Sequence, residues 1–206
     1  MFSKQLGLKL DQYHLLKHPF YQIHWNEGKL TREIIKDYAE QYYQHVKAFP
    51  RYISATHSIC DDLEKRKILL ENLQDEENKD GDHPKLWKNF AMAMGADEKE
   101  IENVKLDWFT KDMIENFFYQ ARKSYAEGLA SLYTYERQIP EIAETKIQGL
   151  KKFYGVSSKK GLEFFEAHKS ADVIHRAECE KLLDALSKEE QEKAEQASLL
   201  TARYLW

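Results

Sequence analysis

Two imidazoles and a carboxylate recur where a helix should be turning an apolar face inward. Between Leu162 and Leu186 the chain reads LEFFEAHKSADVIHRAECEKLLDAL, and Phe165, His168, Asp172, His175, Cys179, Leu182 and Leu186 follow one another at steps of 3, 4, 3, 4, 3 and 4. At about 3.6 residues per turn these positions form a single stripe, the one a helix presents to its core. An ionised carboxylate buried among apolar neighbours is costly unless something compensates it, and beside two imidazoles the natural compensation is a metal ion.

Other parts of the chain offer partners. Glu136 falls on a stripe otherwise made of Phe118, Ala121, Tyr125, Leu129 and Leu132. Glu76 extends the spacing of Leu69 and Leu73 and stands seven residues before His83. His83 precedes Pro84 and is thereby biased away from the α conformation, so it does not share a helix with Glu76 but can swing toward it from a loop. Glu76, His83, Glu136, His168, Asp172 and His175 make three carboxylates and three imidazoles. That set suits a dinuclear iron or manganese centre with open positions for dioxygen, and zinc is chemically admissible. Each residue also has a plainer explanation. A single His on an apolar stripe is ordinarily a hydrogen-bonded core residue, as are His45 and His57. Glu77 competes with Glu76, and Glu136 has Arg137 and Lys146 nearby as ion-pair partners.

The elements needed to position these residues all read as helices; no segment sustains the alternation of a strand. A first helix is expected from about Lys9 to His24, bent at His18-Pro19, with Gly28 ending that unit. Thr31 caps the next, Pro50 kinks or divides it, and a long helix follows to about Glu77. Asn78–Asp82 reads as a loop, after which Pro84 opens a short helix ending near Gly95, and Asp97 caps another short piece. The longest helix is expected from Trp108 to Gln138, closed by Pro140, then one from Glu141 to Tyr154 that stops at Gly155. Ser157 or Ser158 starts the helix with the His-Asp-His stripe, and Ser187 with Glu190 forms a capping box for the last. The expectation is one all-α domain spanning residues 1–206, an up-and-down bundle of about seven to eight helices.

Composition narrows the partners. With 31 basic and 35 acidic residues the formal charge is −4, which argues against nucleic acid or an anionic membrane as the main partner. No apolar run is long enough for a membrane span and the N-terminus lacks a signal-peptide core, so a cytoplasmic protein is expected. Cys60 and Cys179 do not make a disulfide framework.

The runs HPFYQIHW, YYQHVKAFPRY, HSICDDLEKRKILLENLQDEEN, LYTYERQIPEIAETKIQGL and AHKSADVIH resemble the family of the Chlamydia protein associating with death domains (CADD) and its bacterial relatives, and the resemblance covers nearly the whole chain, from about His14 to Leu186. That family lies in the heme-oxygenase-like diiron oxidase superfamily. The resemblance implies the heme-oxygenase-like bundle also used by TenA-type thiaminases and the quinone synthase PqqC. It implies metal ligation by Glu76, His83, Glu136, His168, Asp172 and His175, preferring Glu76 to Glu77, with two ions, Fe/Fe or Fe/Mn. It also implies a self-sacrificing synthesis of 4-aminobenzoate for folate biosynthesis, with dioxygen and a reductant as co-substrates. The tyrosine consumed would be Tyr21, in HPFYQ, and the lysine supplying nitrogen Lys146, in AETKIQG. A homodimer is compatible with the resemblance.

Two departures matter. The chain ends at Trp206 without the cysteine-containing tail associated with the chlamydial protein, so death-domain binding is not carried over. Phe164 stands where a tyrosine is expected, which would reroute electron transfer through Tyr43, Tyr133 or Tyr135. Other readings keep the dimetal site for an external small molecule, or take the fold as a cofactor-free thiaminase or quinone synthase with Cys179 as a nucleophile, or as a non-enzymatic interaction protein.

Overall fold

The computed structural model describes residues 1–79 and 81–206, with the side chains of all of these except Ser170 and Ala171. Among the described residues there is no strand. The helices are α1 (Phe2–Leu10), α2 (Arg32–Ser58), α3 (Leu63–Glu76), α4 (His83–Ala93), α5 (Glu98–Asn103), α6 (Trp108–Lys123), α7 (Tyr125–Glu136), α8 (Ile139–Phe153), α9 (Lys159–Asp184) and α10 (Lys188–Leu205). The all-α bundle expected from periodicity is therefore what forms.

The boundaries differ from expectation at three places, each for a local reason. Pro50 does not divide α2, which continues for 27 residues around it. Pro50 is itself buried, and packing of the long helix on its neighbours offsets the missing backbone donor. The break comes later, at Ile59–Asp62, where the Asp62 side chain accepts from the backbone N–H groups of Glu64 and Lys65 and starts α3. The expected helix from Trp108 to Gln138 is cut at Ser124, whose extended backbone (φ −157°, ψ 162°) and side-chain bond to Glu127 N begin α7 afresh.

The third difference shapes the site. The first helix stops at Leu10, and two short 3₁₀ turns lead to Pro19. The chain then makes a wide π-helical turn over Phe20–Trp25, in which Asn26 N–H donates to Tyr21 O at 3.1 Å. Gln138 Oε1 accepts from Leu15 N–H at 2.9 Å and ties this segment to the end of α7. Trp25 is held by its Nε1–H, which donates to Thr145 O at 3.1 Å on α8. Gly149 allows that approach, since a Cβ there would lie 2.3 Å from Trp25 Nε1.

Two hydrophobic clusters pack the bundle. The larger joins the Tyr21 turn with α2, α4, α6, α8 and the first turns of α9. The smaller joins α1, α10, the outer face of α7 and the second half of α9. The middle of α9 lies between them. The stripe from Phe165 to Leu186 is buried along its whole length, polar members included.

Candidate metal centre

The loop after α3 and the capped start of α4 bring the first three residues together. Glu76 ends α3, and Asp82 caps α4 by accepting from Lys85 N–H at 2.8 Å, which leaves His83 in the first turn. His83 is thus helical at the head of its own helix and faces back across the loop. Its Nδ1 lies 2.8 Å from Glu76 Oε2. The expected loop Asn78–Asp82 connects them without helix at 78, 79, 81 and 82, while Asp80 lies outside the described residues. The His168 ring lies 4.1 Å from that of His83, tilted to it by 47°. Its Nδ1–H donates to Phe164 O at 2.8 Å, so Nε2 is left as the lone-pair nitrogen. Glu76, His83 and His168 are all buried, and each offers one ligand atom within 4.8 Å of the others.

Glu136, Asp172 and His175 form a second group meeting the same 4.8 Å criterion, also buried. Asn72 Nδ2 donates to Glu136 Oε1 at 2.6 Å, and Cys179 Sγ donates to Oε2 at 3.4 Å. His175 Nε2 lies 3.0 Å from Asp75 Oδ2, and its Nδ1 is 3.5 Å from Asp172 Oδ1. Asp172 Oδ2 and His175 Nδ1 are buried without a hydrogen-bond partner among the described residues. Leaving such atoms unpaired is expensive, and a cation between them would remove the cost. Three carboxylates and three imidazoles in two adjoining groups therefore fit two metal ions. The alternative ion pairs do not form. Arg137 turns to Asp11 at 2.6 Å, and Lys146 points elsewhere.

The electrostatics are those of ligands waiting for charge. Burial raises the Glu136 carboxyl to about 7, with Asp172 adding to the effect against the opposing pull of His175. Burial also acts on Glu76, but the imidazoles of His83, His168 and His175 outweigh it and hold the carboxyl below its usual value. Burial lowers His168, and the neighbouring His83 lowers it further. Burial works against protonation of His175, yet Asp172, Glu136 and Asp75 lift it to about 9.

A cavity of about 730 Å³ reaches His168 from outside. Its inner wall holds Tyr21, Tyr38, Tyr42, Trp87, Tyr135 and Lys146; its outer rim holds the exposed Trp108 and Phe109. Lys146 is only 3% exposed. Glu141 and Glu144, on the same helix, pair with Arg176 and Lys169 and not with Lys146. Lys146 Nζ donates to the Tyr38 hydroxyl and lies 4.3–6.0 Å from the rings of Tyr38, Trp87, Phe165, Tyr42 and Trp25. No carboxylate among the described residues pairs with it, and burial alone brings its pKa down to about 7. Burial holds the Tyr21 phenol protonated, its pKa pushed well above 10.0 with a further contribution from Tyr42.

Of the three tyrosines considered as an electron route, Tyr43 bonds Glu102 at 2.8 Å and Tyr133 bonds Glu180 at 3.3 Å, both outside the cavity. Tyr135 lines the cavity and shares a hydrogen bond with Tyr42, a residue that periodicity gave no reason to single out. Phe164 packs its ring 4.0 Å from His168 and supplies the carbonyl that orients it. Cys179 does not line the cavity, and burial together with Glu136 pushes its thiol well above the ordinary range, so it is no nucleophile. Asn72 and Asp75 also escaped the sequence reading: an Asn and an Asp on a charged helix carry no pattern of their own.

Residues 36–205 match a family described as iron-containing redox enzymes. The chain is 43% identical over 198 residues to the 4-aminobenzoate synthase of Chlamydia muridarum, covering 96% of this chain and 84% of that protein. It is 41% identical over 184 residues to the 4-aminobenzoate synthase of Nitrosomonas europaea, covering 84% and 74%. A TenA homologue from Pseudomonas syringae pv. tomato superimposes with a TM-score of 0.85 at 17% identity, over 100% of this chain and 89% of that one, and shares the fold.

Proposed function

Because the chain belongs to the family of iron-containing redox enzymes, we propose that it is a dimetal oxygenase that makes 4-aminobenzoate from its own Tyr21, with Lys146 supplying the nitrogen. The observation that carries this reading is that one cavity is shared by Tyr21, Lys146 and His168, and that His168 belongs to one of two adjoining buried groups suited to metal. The 4-aminobenzoate synthases of Chlamydia and Nitrosomonas, similar over most of their length, support it.

Glu76, His83 and His168 would hold one ion, and Glu136, Asp172 and His175 the other, as Fe/Fe or Fe/Mn. When bound, the pair would supply dioxygen activation and an oxidant strong enough to take electrons from a phenol, using an outside reductant.

The chain's own groups do the rest. The wide turn at Phe20–Trp25 aims Tyr21 into the cavity, with Phe20 and Trp25 as ring neighbours at 5.0 and 6.4 Å. Tyr42, Trp87, Phe164 and Phe165 make walls that exclude water from a reactive phenol. Burial brings Lys146 to about 7, so a large fraction of the amine is neutral near neutral pH and its lone pair is available for attack on an oxidised ring. The hydrogen bond to Tyr38 fixes where Nζ sits. Tyr135 and Tyr42 are hydrogen-bonded to each other, both feel the charge of Asp172, and Tyr42 also acts on Tyr21; this pair is the route we assign to electrons in place of the tyrosine that Phe164 replaces.

The test is to grow the protein on ring-labelled tyrosine, load iron without oxygen, then add oxygen and reductant. Labelled 4-aminobenzoate should appear together with a matching mass loss localised to Tyr21, and Tyr21→Phe should give neither. A Tyr21→Phe chain that still released product would rule out self-sacrifice. One observation favours a second reading. The cavity volume of about 730 Å³ is within the range that holds a small molecule. If the same metal groups act on an external substrate, oxygen consumption would proceed with the chain mass unchanged.

A further inference from the structure

Helix α3 carries Asn72, Asp75 and Glu76 within little more than one turn. Only Glu76 belongs to the first candidate metal group, and neither Asn72 nor Asp75 lines the cavity. Both nevertheless reach across to the second group. Asn72, 3% exposed, donates from Nδ2 to Glu136 Oε1 at 2.6 Å. Its own Oδ1 is buried with no hydrogen-bond partner among the described residues. A buried amide with one end unpaired is a net cost to the fold, so the contact with Glu136 is what the side chain contributes. Asp75 is different in exposure but similar in effect. Its carboxylate is half in solvent, where a pair with His175 adds little stability. What it does is take the Nε2–H of His175 at 3.0 Å, which leaves Nδ1, on the side of Asp172, as the nitrogen that gives up its proton to a metal ion.

We infer that Asn72 and Asp75 are positioning residues for the second metal position, orienting Glu136 and His175 from the same helix that supplies Glu76 to the first. Outer partners of this kind fix the tautomer and direction of a ligand without touching the ion, and their loss typically weakens binding about 10–100-fold. The assignment rests on the reading that both groups hold metal. It requires that removing either residue weaken the second position and spare the first, although both residues lie on the first position's helix.

Manganese(II) titration of Asn72→Leu, Asp75→Ala and Asp75→Asn, beside the unaltered chain, tests it. Metal content is measured by mass spectrometry and ion pairing by electron paramagnetic resonance. Glu76→Gln and Asp172→Asn identify the two positions. We expect Asn72→Leu and Asp75→Ala to lose about 10–100-fold in affinity at the second position, keep the first within about threefold, and replace the coupled two-ion spectrum by that of an isolated ion. Asp75→Asn, which still offers an oxygen to Nε2–H, should recover most of the loss. Two positions of unchanged affinity would overturn the inference, and so would an equal loss at both, which is what general loosening of α3 produces. Asp75 is exposed enough that its variants test the inference even if Asn72→Leu does not fold. An unaltered chain that bound no metal would instead sink the reading of the two groups themselves.

Discussion

Lys146 is the residue whose environment makes the sharpest demand. An amine 3% exposed, with aromatic rings around it and no carboxylate among the described residues pairing with it, is charged only at a cost. Its pKa falls from 10.5 in the unfolded chain to about 7 in the fold, a penalty of about 5 kcal/mol at most. The sign follows from proton counting. Between about pH 7 and 10.5 the unfolded chain binds more protons than the native one, so stability rises with pH across that window, and below it the whole penalty applies. Lys146→Met should therefore be more stable than the parent in urea melts at pH 6, by about 3–5 kcal/mol, with the gap closing toward pH 10. The same variant should release no 4-aminobenzoate. In the parent, the rate of product formation should climb through about pH 7 as the amine becomes neutral. A flat profile across pH 6–8 would separate the buried amine from the chemistry.

At the scale of elements, the turn that presents Tyr21 depends on a contact with α8. Trp25 is fully buried, and its ring rests where a side chain at Gly149 would have to be. Gly149→Ala cannot be absorbed by a flexible chain end; it must displace the indole, break the bond to Thr145 O and disturb the turn. We expect a loss of about 2–4 kcal/mol in urea unfolding and a change in tryptophan emission. This part of the fold was not legible in the sequence. HPFYQIHW has apolar residues at spacings any helix could use, and nothing in it announces a π-helical turn, because that geometry is selected by docking on α8. The break at Ser124 was missed for a related reason: the heptad-like stripe from Phe118 to Glu136 continues across it, and a Ser that caps is read as a Ser that does not. By contrast the His-Asp-His stripe of α9 was readable, since a polar residue at a core spacing contradicts its own surroundings. Glu136 was readable on the same ground. Glu76 was not separable from Glu77 by spacing, and only the fold turns one inward: Glu76 is buried at the end of α3 and Glu77 is exposed.

Across the whole molecule, the two candidate metal groups draw on α3, α4, α7 and α9. Ions held there would bridge the larger hydrophobic cluster to the smaller one, binding the folded chain but not the unfolded one. At a hundred times the dissociation constant such binding adds about 2.7 kcal/mol, which for a chain of this size is a rise of about 5–10 °C in Tm. Scanning calorimetry with and without iron under anaerobic conditions should register that rise, and a chelator should reverse it. Glu136→Gln should forfeit about half. Among the described residues no helix is long and apolar enough to cross a membrane. The buried position of Tyr21, 6% exposed and packed against Phe20 and Trp25, then has a consequence for the lifetime of the protein. A chain that gives up this ring loses a core contact worth on the order of 3 kcal/mol. Spent molecules should melt several degrees below fresh ones of equal metal content and be cut sooner by proteases. The fold would thus act as its own timer, marking each used copy for disposal while unused copies persist.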